Sequence, residues 1–403
     1  MNNKLIFLIL PISLLLDILT ETVFTKGGPI IYVRAIIFYS LIFYCIVNLF
    51  FSKLNITKPF LLFALYILIM IPFSTFPMTS LRISLKVLMS ILMFPVGFFL
   101  INNYKKLKIL NNSLILFMTI YIVNFFISNY FNIGISDYTK SDDFLIGSLA
   151  DSWNNITYCL ILLPIVLHTS SKKIKYFTLV LSFILLFMLV FSLKRIAIIV
   201  LILAYLIYFA KRFSFVNLVP YITILSFLIY LTFPYYSNFL LDRVESRGDK
   251  MQLNNSEIIT QEGRYSESIY VLKDIISFED PKKVVFGLEP FNSVGFYGDG
   301  KFGDRQIHID YFLILNTLGL VGIILYFNIF YFVYRIFKKL KLLVKDNYTN
   351  SLIKELFLIL FISQFITSFG GQMYSTTFRT IIFLYLGSFT SILFSNYYLS
   401  KIK

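Results

Sequence analysis

Long runs of apolar residues, separated by short polar segments, dominate the chain. A helix needs about 20 apolar residues to cross the hydrocarbon core of a bilayer, and twelve runs of about that length can be counted. Their approximate limits are 4–21, 30–51, 59–77, 83–101, 109–130, 154–170, 174–192, 195–211, 215–236, 309–336, 352–370 and 376–398. The pattern predicts an all-α polytopic integral membrane protein with about 12 transmembrane helices. The first run holds Pro11 and Asp17 and no small-residue cleavage site follows it, so we expect it to be retained.

The segments between the runs divide the chain into three parts. Residues 1–236 hold predicted helices 1–9, and residues 309–403 hold predicted helices 10–12. The segment 237–308 between them is too long for a simple connection. Its centre, from Glu262 to Phe278, repeats apolar residues at helical spacing and predicts an amphipathic helix that lies on the outer membrane face or caps the spans. The Gly-rich stretch after Pro281 predicts an irregular loop.

The distribution of charge predicts the orientation in the membrane. The formal net charge is +15, which in a soluble protein would suggest a nucleic-acid partner. However, 58% of the residues are hydrophobic and only 14% are charged, which is far from the composition of soluble domains. Every second loop, counted from the amino terminus, is rich in Lys and Arg, and these loops hold only two acids, Asp346 and Glu355. The positive-inside rule then predicts that both termini are cytoplasmic and that the lipid bilayer, rather than nucleic acid, is the partner.

Cysteine and acidic residues give no sign of a metal site. The two cysteines, Cys45 and Cys159, both lie in apolar runs, which excludes a disulfide scaffold and a zinc site of Cys spacing. The paired acids Asp142 and Asp143 lack the D-x-D spacing of a metal-binding pair. We therefore expect neither a metal nor another cofactor.

Two adjacent cations lie in a predicted tight hairpin on the outer side. Lys194 and Arg195 follow Ser192-Leu193 between the seventh and eighth predicted helices. The positive-inside rule disfavours cations there, so they predict an anion-binding site. The alternative is that both side chains reach out to the lipid headgroups of the outer leaflet.

Four arginines of the long outer loop are further candidates for binding an anion. Arg264 is the strongest, because it follows Gly263 at the predicted start of the amphipathic helix, where amide dipoles also favour an anion. Arginine presents a planar fork that pairs bidentately with phosphate oxygens. Alternatively, Arg264 forms a surface salt bridge with Glu262 or Glu267. The other three arginines of the loop are Arg243, Arg247 and Arg305. For these, a solvated position at the surface is an equally good interpretation.

His308 is the candidate general base. It lies immediately before the tenth predicted helix, in Gln306-Ile307-His308-Ile309-Asp310-Tyr311, where a histidine can exchange a proton near neutral pH. The other histidine, His168, lies at the opposite end of a predicted span and is interpreted as structural. Alternative bases are Asp310, Glu262 and Glu289. Residues Gly370 to Tyr374 together with Arg379 either line a pocket or form a simple turn.

These features occur in an order that resembles a known superfamily. The order is Arg195 in a hairpin, a large outer loop, Gly263-Arg264 at a helix start, Phe286-Gly287-Leu288, His308-Ile309-Asp310-Tyr311, and Leu318-Gly319-Leu320-Val321-Gly322. It is similar to the O-antigen polymerase (Wzy) and O-antigen ligase superfamily, whose loop reads S-G-R, G-x-G, H-N-x-[YF]-L and then L-G-L-x-G. In this chain Ile309 replaces the usual Asn, and Gly287-Leu288-Glu289 replaces G-x-G. The motifs that carry the resemblance lie within about 195–330. The rest of the chain resembles the superfamily only in its number of predicted spans.

The resemblance implies a metal-independent glycosyltransferase with a GT-C-like fold, whose donor is a glycan on undecaprenyl diphosphate. Its active site would face the periplasm of the bacterial inner membrane, and a chain-length regulator protein would be a further partner. The implied catalytic residues are His308, Arg264 and Arg195. The implied substrate-binding residues are Lys194, Arg243, Arg247, Arg305, Asp310 and Tyr311.

Three functions agree with the sequence. The leading hypothesis is an O-antigen or related surface-polysaccharide polymerase. A ligase that moves the glycan to lipid A core uses the same donor and similar loops, so the sequence hardly separates the two. A flippase for lipid-linked oligosaccharide is a third possibility, but it would have internal repeats, charges in the middle of its spans and short loops on both sides.

Overall fold

The computed structural model describes residues 3–22, 30–51, 55–133, 153–192, 194–212, 263–297, 306–371 and 373–402. All regular secondary structure in these ranges is helical, and they contain no strand. Helices α1 to α8 are Asn3–Thr22, Ile30–Phe51, Lys58–Met70, Pro77–Ile91, Met93–Leu100, Tyr104–Phe131, Trp153–Ile161 and Leu163–Thr169. Helices α9 to α15 are Lys172–Ser192, Arg195–Arg212, Gly263–Ser277, Pro281–Phe286, Asp310–Leu343, Tyr348–Gly370 and Thr376–Ile402. Short 3₁₀ turns flank α3 at Asn55–Thr57 and Ile71–Phe73.

The described helices are those of an α-helical polytopic membrane protein. Seven stretches in the described ranges are long and apolar enough to cross a membrane: Tyr32–Phe50, Pro77–Leu100, Tyr104–Phe131, Lys172–Val190, Asp310–Leu343, Tyr348–Gly370 and Thr376–Tyr398. Eleven of the twelve predicted runs coincide with described helices, although some helices are shorter than a full span. The ninth run, 215–236, lies outside the described residues, and twelve crossings remain a prediction.

Two of the predicted helices are each divided into two separate helices, and a proline lies close to each division. The fourth run forms α4 and α5, with a break at Leu92, three residues before Pro95. The sixth run forms α7 and α8, with a break at Leu162 just before Pro164. A proline has no N–H to donate to the carbonyl four residues earlier. The carbonyl left free by Pro164 is that of Leu160, which accepts a hydrogen bond of 2.9 Å from the Tyr205 hydroxyl.

The predicted amphipathic helix is confirmed as α11, Gly263–Ser277. Val271 on this helix is buried against the bundle, whereas Ile276 is 79% exposed. The segment after Pro281 begins with the short helix α12, which the sequence did not predict, and only then becomes irregular. The Asp280 carboxylate caps α12 by accepting from the backbone N–H groups of two lysines, each at 3.1 Å.

Close backbone contact between α5 and α15 forms the centre of the bundle. A Cβ atom on Gly97 would overlap the Leu384 carbonyl, and one on Gly387 would overlap the Phe94 carbonyl. The two glycines are therefore reciprocal contact points. Small residues at helix crossings let two backbones approach closely, which is a common way to pack helices in lipid.

Contacts between distant segments define two ends of the bundle. At one end, Arg212 pairs with Glu355 at 2.9 Å and His168 bonds to Thr349 at 2.9 Å. We call this the basic end, because the Lys- and Arg-rich loops converge on it. At the other end Glu267 contacts His308, and the segment 287–297 packs on the turn between α3 and α4; we call it the site end.

Candidate functional site

Glu267 and His308 form a carboxylate–histidine pair at the site end, which we call the dyad. Glu267 lies in the second turn of α11, and its side chain is 1% exposed. Its Oε2 accepts the backbone N–H of His308 at 3.0 Å, and its Oε1 lies 3.2 Å from the His308 Nδ1. The imidazole is 39% exposed. One buried carboxylate therefore holds a partly exposed histidine at two points.

The geometry of the dyad selects one tautomer of the imidazole. An ionised carboxylate only accepts hydrogen bonds, so a contact with Nδ1 requires a proton on that nitrogen. In the neutral ring, Nε2 then carries the lone pair. This is the arrangement of a base that is oriented by a carboxylate, in which Nε2 takes a proton and the carboxylate stabilises the imidazolium that forms.

Backbone contacts fix the segment that carries His308. The Ile307 N–H donates to the Ser293 hydroxyl at 2.9 Å, which ties the segment to the irregular loop. Gly371, between α14 and α15, lies against the His308 carbonyl so closely that a Cβ atom would overlap it. Gly371 has φ +82°, a conformation that favours glycine. The turn predicted at Gly370–Tyr374 is therefore a support for His308.

The same turn brings the Lys194–Arg195 hairpin next to the dyad. A Cβ atom on Gly370 would lie 2.7 Å from the Ile196 side chain, and Ile196 directly follows Arg195 at the start of α10. Gly370 thus contacts the hairpin while Gly371 contacts His308. The start of α10 and the segment that carries His308 therefore contact the same turn, although they are more than 100 residues apart in sequence.

The predicted arginines are described to different extents. Arg264 lies in the first turn of α11, three residues before Glu267. The structure describes the backbone of Arg264 and Arg195 but not their side chains. The remaining loop residues lie outside the described ranges; they are Arg243, Arg247, Arg305 and the alternative base Glu262.

Asp310 forms a buried ion pair with Arg379 from α15, and both side chains are at most 1% exposed. The Ser368 hydroxyl and the Met373 backbone also lie close to the Asp310 carboxylate. A carboxylate in this position is engaged by its cation and is not presented to a substrate. Tyr311 is likewise turned into the bundle, and its hydroxyl donates to the Phe365 carbonyl at 2.9 Å.

Glu289 anchors the irregular loop. Its carboxylate is buried and accepts from the Ser80 hydroxyl at 3.2 Å, from the Ser74 hydroxyl and from the Thr75 backbone N–H. Ser74 and Thr75 belong to the turn between α3 and α4, and Ser80 lies in the first turn of α4. Because every one of these contacts is a donor from this region, Glu289 serves to hold the loop rather than to take a proton from a substrate.

The two glycine motifs of the sequence lie against each other. Gly319 interrupts α13 with φ +65°, and Gly287 ends α12 with φ +72°. A Cβ atom on either would overlap the backbone of the other segment. The Tyr66 hydroxyl bridges the two segments, since it lies 2.7 Å from the Phe286 carbonyl and 2.8 Å from the Leu318 carbonyl. This contact fixes the loop at the kink of α13.

The hydroxyl of Tyr374 adds another contact between the turn and the loop. It donates to the Phe291 carbonyl at 2.8 Å. Burial, and then the nearby charge of Asp310, raise the pKa of Tyr374 above its ordinary value, so the hydroxyl keeps its proton and remains a donor. Phe291 itself has φ +56°, which shows how tightly the loop is turned here.

Sequence reasoning did not single out Glu267 as the partner of His308. A signal was present: Glu267 precedes the buried Val271 by four residues and so lies on the buried face of α11.

Within the described ranges, no group of three or more His, Cys, Asp or Glu residues could hold a metal ion.

No protein-family model matches the chain, and no curated protein matches it significantly. Among the contacts of the described residues, the dyad is the arrangement with the clearest capacity for chemistry.

Proposed function

We propose that this chain is a glycosyltransferase that polymerises a surface polysaccharide of the O-antigen type from units linked to undecaprenyl diphosphate. The observation that carries the proposal is the dyad of Glu267 and His308, which lies at one end of a bundle of apolar helices. A base at the end of a membrane bundle suits a reaction between a sugar hydroxyl and a donor whose tail lies in lipid. The order of motifs around the dyad agrees with that chemistry.

In the proposed reaction, His308 acts as the general base. Its Nε2 takes the proton from the acceptor hydroxyl while the oxygen attacks the anomeric carbon of the donor sugar. The bond from that carbon to the diphosphate oxygen breaks, and the electron pair leaves with the diphosphate. Glu267 holds the Nδ1 proton in place and stabilises the imidazolium until the proton is released to water.

The cations near the dyad would stabilise the leaving group. Negative charge develops on the diphosphate as the glycosyl bond breaks, so a cation placed there in advance lowers the barrier. Support for this role of Lys194 and Arg195 comes from the turn at Gly370–Gly371, which contacts both Ile196, directly after Arg195, and the His308 carbonyl. Arg264, one turn before Glu267, is at the start of a helix, where backbone N–H groups also favour an anion.

The charge distribution supports a particular orientation. The loops of the basic end would face the cytoplasm according to the positive-inside rule, and both termini would be on that side. The dyad would then face the periplasm of the bacterial inner membrane. Glycans on undecaprenyl diphosphate are expected there, and no nucleotide sugar is needed.

The glycan profile of a strain that lacks the chain tests the proposal against ligase activity. We expect single repeat units on the lipid A core, because units are made and transferred but not joined. A core without glycan, together with polymer still on the lipid carrier, would instead identify a ligase. Complementation with Arg264→Ala should restore neither chain lengthening nor the normal profile, while an epitope tag shows normal insertion in the membrane.

A further inference from the structure

Among the described side chains, the most deeply buried charges are all found at the site end. Four charged residues are no more than 1% exposed, and they are Glu267, Glu289, Asp310 and Arg379. The contacts of two of them explain their burial, because Glu267 holds His308 and Glu289 holds the irregular loop. The other two form the ion pair of Asp310 and Arg379, which takes no part in the proton transfer at the dyad.

Stability alone does not account for this ion pair. Two buried charges lose their hydration, and replacing such a pair with apolar residues of similar volume is often neutral or even stabilising. Compared with apolar packing, an ion pair adds direction, because the planar guanidinium carries its N–H donors in fixed positions. The contact between the Arg379 guanidinium and the Asp310 carboxylate therefore fixes where Asp310 lies relative to α15.

The helix that carries Arg379 is held at two points. Its stretch Thr376–Tyr398 is the most buried of the seven spanning stretches in the described ranges. At the start of α15, the Thr376 hydroxyl accepts a hydrogen bond from Arg34 of α2. In the middle of α15, Gly387 meets the backbone of α5. Arg379 lies between these two points, so its side chain extends from a well-anchored support.

The ion pair connects this support to the segment of His308. Asp310 is the first residue of α13, and His308 precedes it by two residues. Two residues of extended chain span at most about 7 Å, so a fixed Asp310 restricts the positions that His308 can reach. Glu267 contacts His308 from a different element, α11. The two constraints together determine where the imidazole lies.

We infer that Asp310 and Arg379 are positioning residues for His308. The inference rests on the proposed function and deepens it. Arg379 holds Asp310, and Asp310 holds the segment that presents the His308 imidazole to Glu267 and to the acceptor hydroxyl. Because both charged side chains are buried, they act through His308 and do not touch the substrate. A misplacement of about 1 Å can lower the rate of a reaction about 100-fold. We therefore expect loss of the pair to lower kcat and to leave KM for the donor unchanged.

Nitrogen NMR of histidine-labelled protein provides a test that does not depend on elongation. The chain has two histidines, so the His168→Gln variant in detergent micelles shows signals of His308 alone. With the ring neutral, we expect this protein to show the tautomer with the proton on Nδ1. When Asp310→Asn/Arg379→Leu is added, we expect both tautomers, because the segment no longer keeps Nδ1 against Glu267.

Kinetics and thermal unfolding of the pair variants, made in the otherwise unchanged chain, separate positioning from stability. The double variant should unfold at a temperature closer to wild type than Arg379→Leu alone does, while its kcat is about 100-fold lower. Arg379→Lys is a second variant that keeps the buried charge. Its ammonium is a point charge on a flexible stem and lacks the planar fork, so it should also give both tautomers and a lower kcat.

The matched control is Arg212→Leu/Glu355→Gln, which removes an ion pair of 2.9 Å at the basic end. This pair is largely buried but is not connected to the segment of His308. We expect the control to keep the Nδ1–H tautomer of His308 and the wild-type kcat.

Three results would overturn the inference. One is a single Nδ1–H tautomer in either folded variant of the pair. Another is a mixture of tautomers in the control, which would show that His308 responds to any loss of an ion pair. The third is a rise in KM with kcat unchanged, which would place the pair in substrate binding. Failure of the proposed function has a different signature: the tautomers change as expected, but the wild-type chain does not elongate a lipid-linked glycan.

Discussion

The Glu267 carboxylate contacts His308 twice, at its backbone N–H over 3.0 Å and at its Nδ1 over 3.2 Å. The first contact fixes the position of the residue, and the second fixes the orientation and tautomer of its ring. The pair joins α11 to the segment before α13, across 41 residues of sequence. A loop residue with an otherwise adjustable side chain is thereby held in one geometry.

Glu267→Gln is expected to slow elongation about 100-fold, with little change in KM for the donor. The amide can still accept the backbone N–H, but its NH₂ group facing Nδ1 favours the tautomer with the proton on Nε2, the wrong nitrogen for a base. General-base catalysis contributes about 10²–10⁴-fold. Steady-state kinetics with lipid-linked repeat units measure the effect. Glu279→Gln, which changes an exposed acid close to α11, is the control and should be neutral. A rise in KM alone would mean that Glu267 acts in substrate binding.

Asp310 and Arg379 are expected to be coupled in stability. Arg379→Leu leaves a buried carboxylate without its cation, and Asp310→Asn leaves a buried guanidinium without its anion. Each single change should cost about 3–5 kcal/mol. The double variant Asp310→Asn/Arg379→Leu should cost less than either, because no unpaired charge remains. Thermal unfolding in detergent provides the comparison, and a double variant as unstable as the sum of the singles would contradict the coupling.

Gly319→Ala should destabilise the attachment of the loop to α13 more than Gly295→Ala does. Both glycines have positive φ, which costs another residue about 1–2 kcal/mol. At Gly319 the added carbon also meets the backbone of 285–287, whereas at Gly295 nothing lies within 4 Å. Overpacking adds typically about 1–3 kcal/mol. Limited proteolysis of 281–297 should show faster cleavage in Gly319→Ala only, and equal rates would show that the contact is not needed.

Cysteine labelling in intact cells tests the orientation. Cys45 and Cys159 are buried, so the background should be low. Lys273→Cys, on the exposed side of α11, should react with a membrane-impermeant maleimide. Lys339→Cys, at the basic end of α13, should react only after the inner membrane is opened. The reverse pattern would invert the proposed topology and place the dyad in the cytoplasm.

The helices could be predicted from the sequence because apolar runs of spanning length leave the chain few alternatives in lipid. The start of α11 at Gly263 could also be predicted, since the helical spacing of apolar residues begins there. Asp17 and Arg34 stand out as charges within apolar runs, but their pairing could not be predicted, because it depends on how α1 and α2 pack against α15. For the same reason the partner of His308 depends on a contact between distant segments, which no local pattern encodes.

The breaks in the predicted helices have a local cause that the length of an apolar run does not reveal. Pro95 and Pro164 lie within runs whose composition alone fits a continuous span. Gly319 belongs to a motif of the sequence, but its positive φ occurs where its backbone meets that of Gly287 in another segment. The glycines of the motifs are therefore points of close contact between backbone segments. The hydrogen-bonding partners of the polar residues are seen only in the structure.

The most direct test of the account is the single-turnover rate of glycan elongation by purified chain with lipid-linked repeat units. The account predicts that His308→Ala lowers this rate at least about 100-fold, while Glu289→Gln, which alters a buried carboxylate that only anchors the loop, stays within about tenfold of wild type. A wild-type rate in His308→Ala would contradict the account, because His308 would then not be the base.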